Sequence, residues 1–308
     1  MGKSGTITIL AMSQTDEPWT IKRLLEWTAP FLSRKKVDSP RLCAELLLSH
    51  VLKLPRIALY TNYQRIATAE ELTSFRELVR RAGEHEPAAY LTGKAHFFNL
   101  ELEVTPDVLI PRPDTEVVVE NAIRLARNQP ALESPRILDL CTGSGCVAVA
   151  VASNLKNATV IATDLSARAA AVARRNIEKL ALSSRITVLE GDLFAPLEAA
   201  AGGQPFHFIL ANPPYIPTDQ MAKLDRNVRD FEPVAALDGG PDGLSFHRRI
   251  LAGAAQWLVA GGYVLLEIAF DQGPAVMEAM AGQSLLDDRK ICKDYAGRNR
   301  VAVAKRKD

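Results

Sequence analysis

The stretch Ile137–Gly145, which reads ILDLCTGSG, decides the fold that we predict for this chain. Its first four residues are mostly apolar, as in a buried strand, and the residues from Cys146 onward read as a helix. Gly143 and Gly145 let the backbone turn tightly and approach a ligand, because neither carries a Cβ atom. The stretch therefore predicts a strand, a glycine turn and a helix, with a ligand site at the carboxyl end of the strand.

Apolar runs of strand length alternate with helical patterns along the chain from Pro135 onward. Such alternation indicates an α/β fold with a Rossmann-like, mostly parallel seven-stranded sheet and right-handed crossovers. A helix is predicted to end at Gly261 and Gly262. The predicted strands span residues 136–140, 158–163, 186–189, 206–211, 263–268, 285–292 and 300–304, and the predicted helices include 117–127, 146–155 and 167–180.

The first third of the chain has a helical pattern instead. Apolar residues recur there at helical spacing, Ser39 precedes a proline as a helix cap, and Thr68 with Glu71 matches a capping box. Apolar residues then alternate from Phe98 to Val104, which predicts a strand of a hairpin. The predicted organisation is a flexible tail, a helical domain for recognition of a large substrate, a hairpin linker and a catalytic domain, at residues 1–17, 18–92, 93–112 and 113–308.

Acidic residues follow two further strands at the same edge of the predicted sheet. Asp164 comes 19 residues after Gly145, where its carboxylate can accept hydrogen bonds from two ribose hydroxyls. Asp192 follows the third strand and, together with Leu193, is placed to flank an adenine ring. These positions predict a nucleoside-containing cofactor.

Two cofactor classes fit the glycine turn. The pattern G-x-G-x-x-A from Gly143 to Ala148, with Asp164 downstream, satisfies the dinucleotide fingerprint. Asp139, however, lies inside the first strand, where a carboxylate suits a cationic aminoacyl group. Hydride transfer also leaves the second motif of the chain unexplained. We therefore predict S-adenosylmethionine, with S-adenosylhomocysteine as product.

That second motif is Asn212-Pro213-Pro214-Tyr215, directly after the predicted strand 206–211. Two prolines cannot continue a central strand, because neither donates a ladder hydrogen bond. The side-chain oxygen of Asn212 and the carbonyl of Pro213 can then each accept from one N–H of a flat amino group, and the Tyr215 ring can pack on it. The motif predicts methylation of an amide or exocyclic amino nitrogen; a plain proline turn is the alternative.

The segment 109–116, LIPRPDTE, has two interpretations that the sequence does not separate. It is a linker with a well-formed helix start, because Asp114 and Glu116 place negative charge where the helix dipole favours it. Alternatively, it is a wall of the active site.

Composition excludes several function classes. The chain has 308 residues and a net charge of +1, so no overall basic field indicates bulk nucleic-acid binding. Its four cysteines form no C-x-x-C pair and no zinc-like cluster, so we expect reduced thiols and no metal. No run of about 18 apolar residues occurs, which argues against a membrane span. We expect a cytoplasmic protein, with organellar import left open.

With both motifs in view, the chain resembles the bacterial release-factor glutamine N5-methyltransferases, the PrmC/HemK family. The Asn-Pro-Pro-Tyr motif alone is shared with adenine-N6 DNA methyltransferases and with enzymes that methylate a ribosomal-protein glutamine, and these remain the alternative functions. The segments that carry the resemblance are YLTG at 90–93, LIPRPDTE at 109–116, NPPY at 212–215, DGGPDGL at 238–244 and DYAGRNRV at 294–301.

The resemblance implies a class I S-adenosylmethionine-dependent methyltransferase. It would act on the glutamine of the Gly-Gly-Gln loop of class I release factors, as a monomer without stable nucleic-acid binding. The implied cofactor contacts are Cys141, Thr142, Gly143, Ser144, Gly145, Asp164, Leu193 and Asn212. The implied substrate contacts are Asn212, Pro213, Pro214 and Tyr215, of which Asn212, Pro213 and Tyr215 are the implied catalytic residues.

Three positions depart from the family pattern. Cys141 stands where glycine is common, Asp114 where glutamate is common, and Leu193 where some members have an aromatic residue. Cys141 predicts that the first position of the turn does not require a positive φ. Leu193 argues against stacking on adenine.

Overall fold

A computed structural model describes residues 17–129, 132–200 and 202–308 of the chain. Residues 1–16 of the predicted tail lie outside this description. The chain forms two compact units. Of the described residues, those up to Gly93 form one unit with Arg226–Phe231, and Lys94–Asp225 form the other with Glu232–Asp308.

The first unit is helical, with a short helical turn at Arg226–Arg229. In the first of its helices the residues at helical spacing, such as Leu24, Leu25 and Phe31, are the buried ones, as predicted. Its main helices are α1 (Ile21–Arg34), α2 (Pro40–Leu52), α3 (Arg56–Thr61), α4 (Ala69–Gly83) and α5 (Ala88–Thr92).

The two predicted helix caps in this unit have different outcomes. The capping box is confirmed, because the Thr68 hydroxyl accepts from the Glu71 N–H at 3.2 Å and the Glu71 carboxylate accepts from the Thr68 N–H at 2.9 Å. Helix α2 begins after Ser39 as predicted, but the serine side chain makes no capping hydrogen bond. Ser39 has φ +44°, whereas a capping side chain requires an extended backbone.

The second unit begins with a hairpin of β1 (Lys94–Phe97) and β2 (Leu100–Glu103). The predicted hairpin strand is confirmed as β2, but our prediction that it starts at Phe98 was wrong, because Phe98 and Asn99 form the turn, with φ +49° and +63°. A two-residue hairpin turn of this kind needs positive φ at both positions, which apolar alternation does not reveal.

Seven strands form the sheet of this unit, as predicted. The strands are β3 (Arg136–Leu140), β4 (Thr159–Asp164), β5 (Ile186–Glu190), β6 (Phe206–Ala211), β7 (Leu258–Glu267), β8 (Leu286–Lys293) and β9 (Asn299–Arg306). Their order in the sheet is β5-β4-β3-β6-β7-β9-β8. The pairs from β5 to β7 are parallel, and β9 pairs antiparallel with both β7 and β8.

Helices cover both faces of this sheet. Ile137 and Leu138, neighbours on β3, belong to two different apolar cores, since successive side chains of a strand point to opposite faces. The core of Ile137 includes α6 (Glu116–Arg127), α7 (Cys146–Asn154) and α8 (Ala167–Lys179), and that of Leu138 includes α9 (Ser245–Trp257) and α10 (Gly273–Ala281). This double cover leaves the strand ends as the place for a ligand.

The glycine pair near residue 260 belongs to a strand, so our prediction that it ends a helix was wrong. Helix α9 ends at Trp257, and β7 starts at Leu258 and runs through Gly261, which has φ +73°. The pairing of β6 with β7 is irregular there, and a glycine inside a strand commonly marks such an irregularity. Within the described part of the chain, no helix combines the length and apolar character of a membrane span.

Candidate active site

A cavity of about 210 Å³ opens at the carboxyl ends of β3, β4 and β6 in the second unit. Its walls combine carboxylates, the glycine turn and apolar side chains. The lining residues include Asp107, Val108, Leu109, Pro111, Thr115, Asp139, Cys141, Thr142, Gly143, Ser144, Cys146, Asp164, Leu165, Ala169, Asn212, Pro214, Ala236 and Phe246.

The glycine turn forms one wall of this cavity. The N–H of Thr142 donates to the carbonyl of Thr163 on β4 at 3.0 Å, so the chain bends sharply after β3 ends. Cys141 accordingly has φ +56°, in the left-handed region. Our prediction that this position does not require a positive φ was therefore wrong, and the turn keeps the geometry for which glycine is usual. Gly145 precedes α7 and does not line the cavity.

Asp164 ends β4 and faces the cavity. Its two carboxylate oxygens accept from the N–H groups of Gly143 at 2.8 Å and of Ser166 at 2.9 Å. Burial raises the pKa of this carboxyl group, and the two backbone hydrogen bonds oppose that rise. Each oxygen retains a further lone pair, so the fixed carboxylate can accept from ligand hydroxyls.

Asp139 is 1% exposed at the base of the cavity. Its Oδ2 accepts from the Thr142 hydroxyl at 2.6 Å and from the Ala148 N–H at 3.2 Å. Burial raises the pKa of Asp139 to about 7 despite these bonds. A cationic group in the cavity would favour the ionised carboxylate.

The corner after β6 places Asn212 and Pro214 on the cavity wall. The side-chain Nδ2 of Asn212 donates to the Thr115 hydroxyl oxygen at 3.0 Å. Its Oδ1 atom has no hydrogen-bond partner among the described residues. Asn212 therefore presents an acceptor at the cavity wall, and its contact with a substrate stays a prediction.

Pro213 and Tyr215, the other two residues of the corner, do not line the cavity. Pro213 is buried. The Tyr215 hydroxyl donates to Oε1 of Glu267 at 3.3 Å, and the Tyr215 carbonyl accepts from Gln272 at 2.8 Å. Burial, followed by the nearby carboxylate of Glu267, raises the pKa of Tyr215, so its ring is held as a neutral phenol.

The segment 109–116 forms a wall of the cavity, which decides between our two interpretations of it. Leu109, Pro111 and Thr115 contribute to the lining. The buried carboxylate of Glu232 holds the segment by accepting from the Ile110 N–H at 3.2 Å and from the Arg112 guanidinium.

The structure does not bring Leu193 to the cavity. Its side chain is 6% exposed and packs in the apolar core with Leu138. The neighbouring Asp192 accepts from Arg249 at 2.6 Å instead of flanking the cavity. A cofactor contact from Leu193 is thus a prediction that its position does not support.

Several lining residues had no role in our sequence predictions. Leu165 directly follows Asp164 and is 67% exposed, and Phe246 comes from α9. The position of Leu165 was a usable signal, because a residue that directly follows Asp164 must lie at the same rim of the sheet. Phe246 and Asp107 gave none, since only the tertiary fold brings them to this rim.

Comparison with known proteins identifies the family. The sequence model of the PrmC N-terminal domain matches residues 23–93, and that of the methyltransferase small domain matches residues 121–228. A release factor glutamine methyltransferase of Geobacter sulfurreducens is 44% identical over 94% of this chain and 98% of the relative. That of Rhodopirellula baltica is 41% identical over 95% and 98%. The chain belongs to the release factor glutamine methyltransferases.

Solved structures support the same fold for this family member. The catalytic domain of hMettl16, in complex with an RNA hairpin, superposes with a TM-score of 0.53 at 18% identity, over 68% of this chain and 76% of that one. The METTL16 methyltransferase domain gives 0.50 at 18% identity, over 68% and 74%. This likeness shows the class I methyltransferase fold.

The methyltransferase family and fold imply S-adenosylmethionine as the methyl donor, and the donor set of the cavity fits it. Asp164 offers a fixed acceptor for ribose hydroxyls, and Asp139 offers a buried carboxylate for a cationic aminoacyl end. Leu165 and Phe246 supply apolar surface for a planar base. Among the described residues, no group of histidine, cysteine and acidic side chains could hold a metal ion.

Proposed function

We propose that this chain transfers a methyl group from S-adenosylmethionine to the side-chain amide nitrogen, N5, of the glutamine in the Gly-Gly-Gln motif of class I release factors. The observation that carries the proposal is Asn212. Its Nδ2 is committed to Thr115 at 3.0 Å, so its Oδ1 is left as an acceptor at the cavity wall. An acceptor there suits the NH₂ group of an amide.

The family membership supports a protein glutamine as substrate. Relatives over nearly the whole chain are named release factor glutamine methyltransferases, whereas hMettl16 shares only the fold. Family membership also supports two further proposals: a bacterial-type cytoplasmic location, and the use of the helical domain, 18–92, to contact the release factor. These assignments, the hairpin linker and the monomeric state stay predictions.

The chemistry requires positioning, because an amide nitrogen is a weak nucleophile whose lone pair is delocalised into its carbonyl. The bound cofactor supplies an electrophilic methyl group. Asn212 Oδ1 accepts from one N–H of the substrate amide. Pro213 is buried and does not line the cavity, but its backbone carbonyl remains our proposed acceptor for the other N–H, and the two acceptors together fix the direction of the nitrogen. Such positioning contributes up to roughly 7–11 kcal/mol in favourable cases. The two acceptors stabilise positive charge that builds on the nitrogen during transfer.

Replacement of the acceptor tests the assignment. We expect Asn212→Ala to lower kcat by roughly 100-fold or more while cofactor affinity changes less, because one positioned acceptor is lost. Methyl transfer from labelled S-adenosylmethionine gives kcat, and calorimetry gives cofactor binding. A variant with near-wild-type kcat would exclude Asn212 as a catalytic residue.

The substrate is tested with the same label. A purified class I release factor is compared with its Gly-Gly-Gln→Gly-Gly-Ala version, with ribosomal protein and with duplex DNA. Label on the intact factor alone supports glutamine methylation. Equal label on the alanine version, or label on DNA, would show that the substrate is a different one.

A further inference from the structure

A fully buried carboxyl group lies behind the Asn212–Tyr215 corner. Glu267 ends β7 and is 0% exposed. In the parallel pairing of β6 with β7, Ala211 lies opposite Leu266, so Asn212 and Glu267 are the next residues at the same sheet edge. A buried acid with this position and no assigned role needs an explanation.

Glu267 contacts Tyr215 directly and is connected to Asn212 through Thr115. Its Oε1 accepts from the Tyr215 hydroxyl at 3.3 Å. Its Oε2 is buried and has no hydrogen-bond partner of regular geometry among the described residues. The Thr115 hydroxyl nevertheless interacts with the carboxyl group and lowers the pKa of Glu267, against the larger rise that burial causes. The Glu267 backbone carbonyl accepts from Nε2 of His247 at 2.7 Å, which fixes the strand end.

The direction of these hydrogen bonds determines what Asn212 presents. An ionised carboxylate only accepts, so the Thr115 hydroxyl directs its hydrogen towards Glu267. The Thr115 oxygen is then left to accept, and the group of Asn212 that can donate to it is Nδ2. The Asn212 Oδ1 atom must consequently face outward.

An amide or a protonated acid at position 267 would remove this restriction. Either group can donate to the Thr115 oxygen, which frees the Thr115 hydrogen to donate to Asn212 Oδ1. The Asn212 amide would then present its NH₂ group to the substrate NH₂, and two donors cannot bind each other.

We propose that Glu267 is a positioning residue that sets the orientation of the Asn212 amide through Thr115, and thereby makes the site selective for an NH₂ group. The inference rests on the proposed function, since it concerns the acceptor for the substrate amide. Glu267 does not contact the reacting atoms.

The charges around Glu267 give the inference a pH dependence. Burial raises the pKa of Glu267 to about 7, against the contacts of Thr115 and Tyr215 and the charge of Arg300, while Asp114 adds to the rise. Because the ionised form is the active one, kcat should increase as pH rises through about 7. The titratable or charged groups that face Glu267 are Tyr215 from the corner, Arg300 from β9, Asp114 from the turn before α6, His247 from α9 and Cys146 from α7.

The experiment compares Glu267→Gln, Thr115→Val, the double variant and Thr115→Ser in methyl transfer to the release factor. We expect Glu267→Gln to reduce kcat roughly 100-fold, the loss typical of small misplacement in an active site, with a smaller change in KM. The double variant should be no slower than Thr115→Val, because both substitutions break the same connection, which runs from Glu267 through Thr115 to Asn212. Thr115→Ser keeps the hydroxyl and should keep most of the activity.

The pH profile separates positioning from a general loss of structure. Asp139 also has a pKa near 7, so the wild type is compared directly with Glu267→Gln at saturating cofactor. The inflection that disappears in the variant belongs to Glu267. Glu278→Gln, which removes an exposed carboxylate on α10, is the control and should leave both kcat and its pH profile unchanged.

The outcomes separate the two proposals. If wild-type protein fails to label the Gly-Gly-Gln factor, the proposed function is wrong. If wild type labels it and Glu267→Gln retains wild-type kcat with the same pH profile, the positioning role is wrong. Additive losses in the double variant would also overturn it. Cofactor binding by calorimetry shows that each variant is folded, and a variant that no longer binds is replaced by Glu267→Asp, for which we expect an acid limb at a different pH.

Discussion

At the scale of single residues, Gly239 shows how closely two loops approach at the Asn212–Tyr215 corner. A Cβ atom at Gly239 would lie 2.7 Å from the Tyr215 Cα atom and 2.8 Å from the Pro214 carbonyl oxygen. The Gly239 N–H donates to the carbonyl of Ile216 at 2.8 Å, so the approach is built into the backbone. The DGGPDGL motif at 238–244 therefore packs against the backbone of the Asn212–Tyr215 corner and supports it.

We expect Gly239→Ala to destabilise the chain by about 1–3 kcal/mol, because the added methyl group meets backbone atoms that cannot give way. Activity should fall as well, since Pro214 and Tyr215 must shift. Urea unfolding measures the free energy. Gly282→Ala is the control: its Cβ would have ordinary contacts beyond 3.4 Å, the nearest at 3.5 Å, so a change within about 0.5 kcal/mol is expected. Equal effects of the two changes would contradict the steric account.

Residue chemistry also explains which parts of the site could be predicted from the sequence. Asn212 was predictable, because two prolines after an apolar strand force the chain out of the sheet. Glu267 was not, since a glutamate at the end of an apolar strand looks like a solvent-facing residue. Its role depends on Thr115 and Tyr215, which only the tertiary fold brings near it.

At the scale of elements, the sequence predicted helices and strands correctly where residues close in the chain determine them. The capping box of α4 and the buried face of α1 were predicted from residues three or four apart. The glycine pair in β7 was not, because a glycine gives the same local signal at a helix end and at an irregular position in a strand. Pairing with β6 decided the outcome.

The two helix caps of the first unit give a prediction at this scale. Thr68→Ala should cost about 1 kcal/mol of stability, because it removes the acceptor for the Glu71 N–H. Ser39→Ala should change stability by less than about 0.5 kcal/mol, because the Ser39 side chain makes no capping bond. Far-ultraviolet circular dichroism during denaturation of the whole chain measures both. A larger loss from Ser39→Ala would show that this serine caps α2 in solution.

At the scale of the whole molecule, ligand binding and stability are linked. A ligand that binds only the folded state, here S-adenosylmethionine, stabilises the protein by roughly 2.7 kcal/mol at 100 times its Kd. Asp164→Ala should lose most of the resulting rise in Tm, because the carboxylate that faces the cavity is gone. Asp192→Ala should keep it, since Asp192 pairs with Arg249 and does not line the cavity. Thermal unfolding with and without cofactor measures the shift, and its loss in Asp192→Ala would restore the adenine-flanking role that we predicted from the sequence.

The hydrogen bonds at the corner also set an order in time. Asn212 donates to Thr115, which lies 97 positions earlier in the chain, and Tyr215 donates to Glu267, which lies 52 positions later. During synthesis the Asn-Pro-Pro-Tyr motif is thus made well before Glu267. At roughly 5–20 residues per second, 52 residues take about 3–10 s. Throughout that interval a nascent chain carries the Asn-Pro-Pro-Tyr motif without the buried acid that we propose orients its asparagine, so the corner is completed only after the end of β7 has been made.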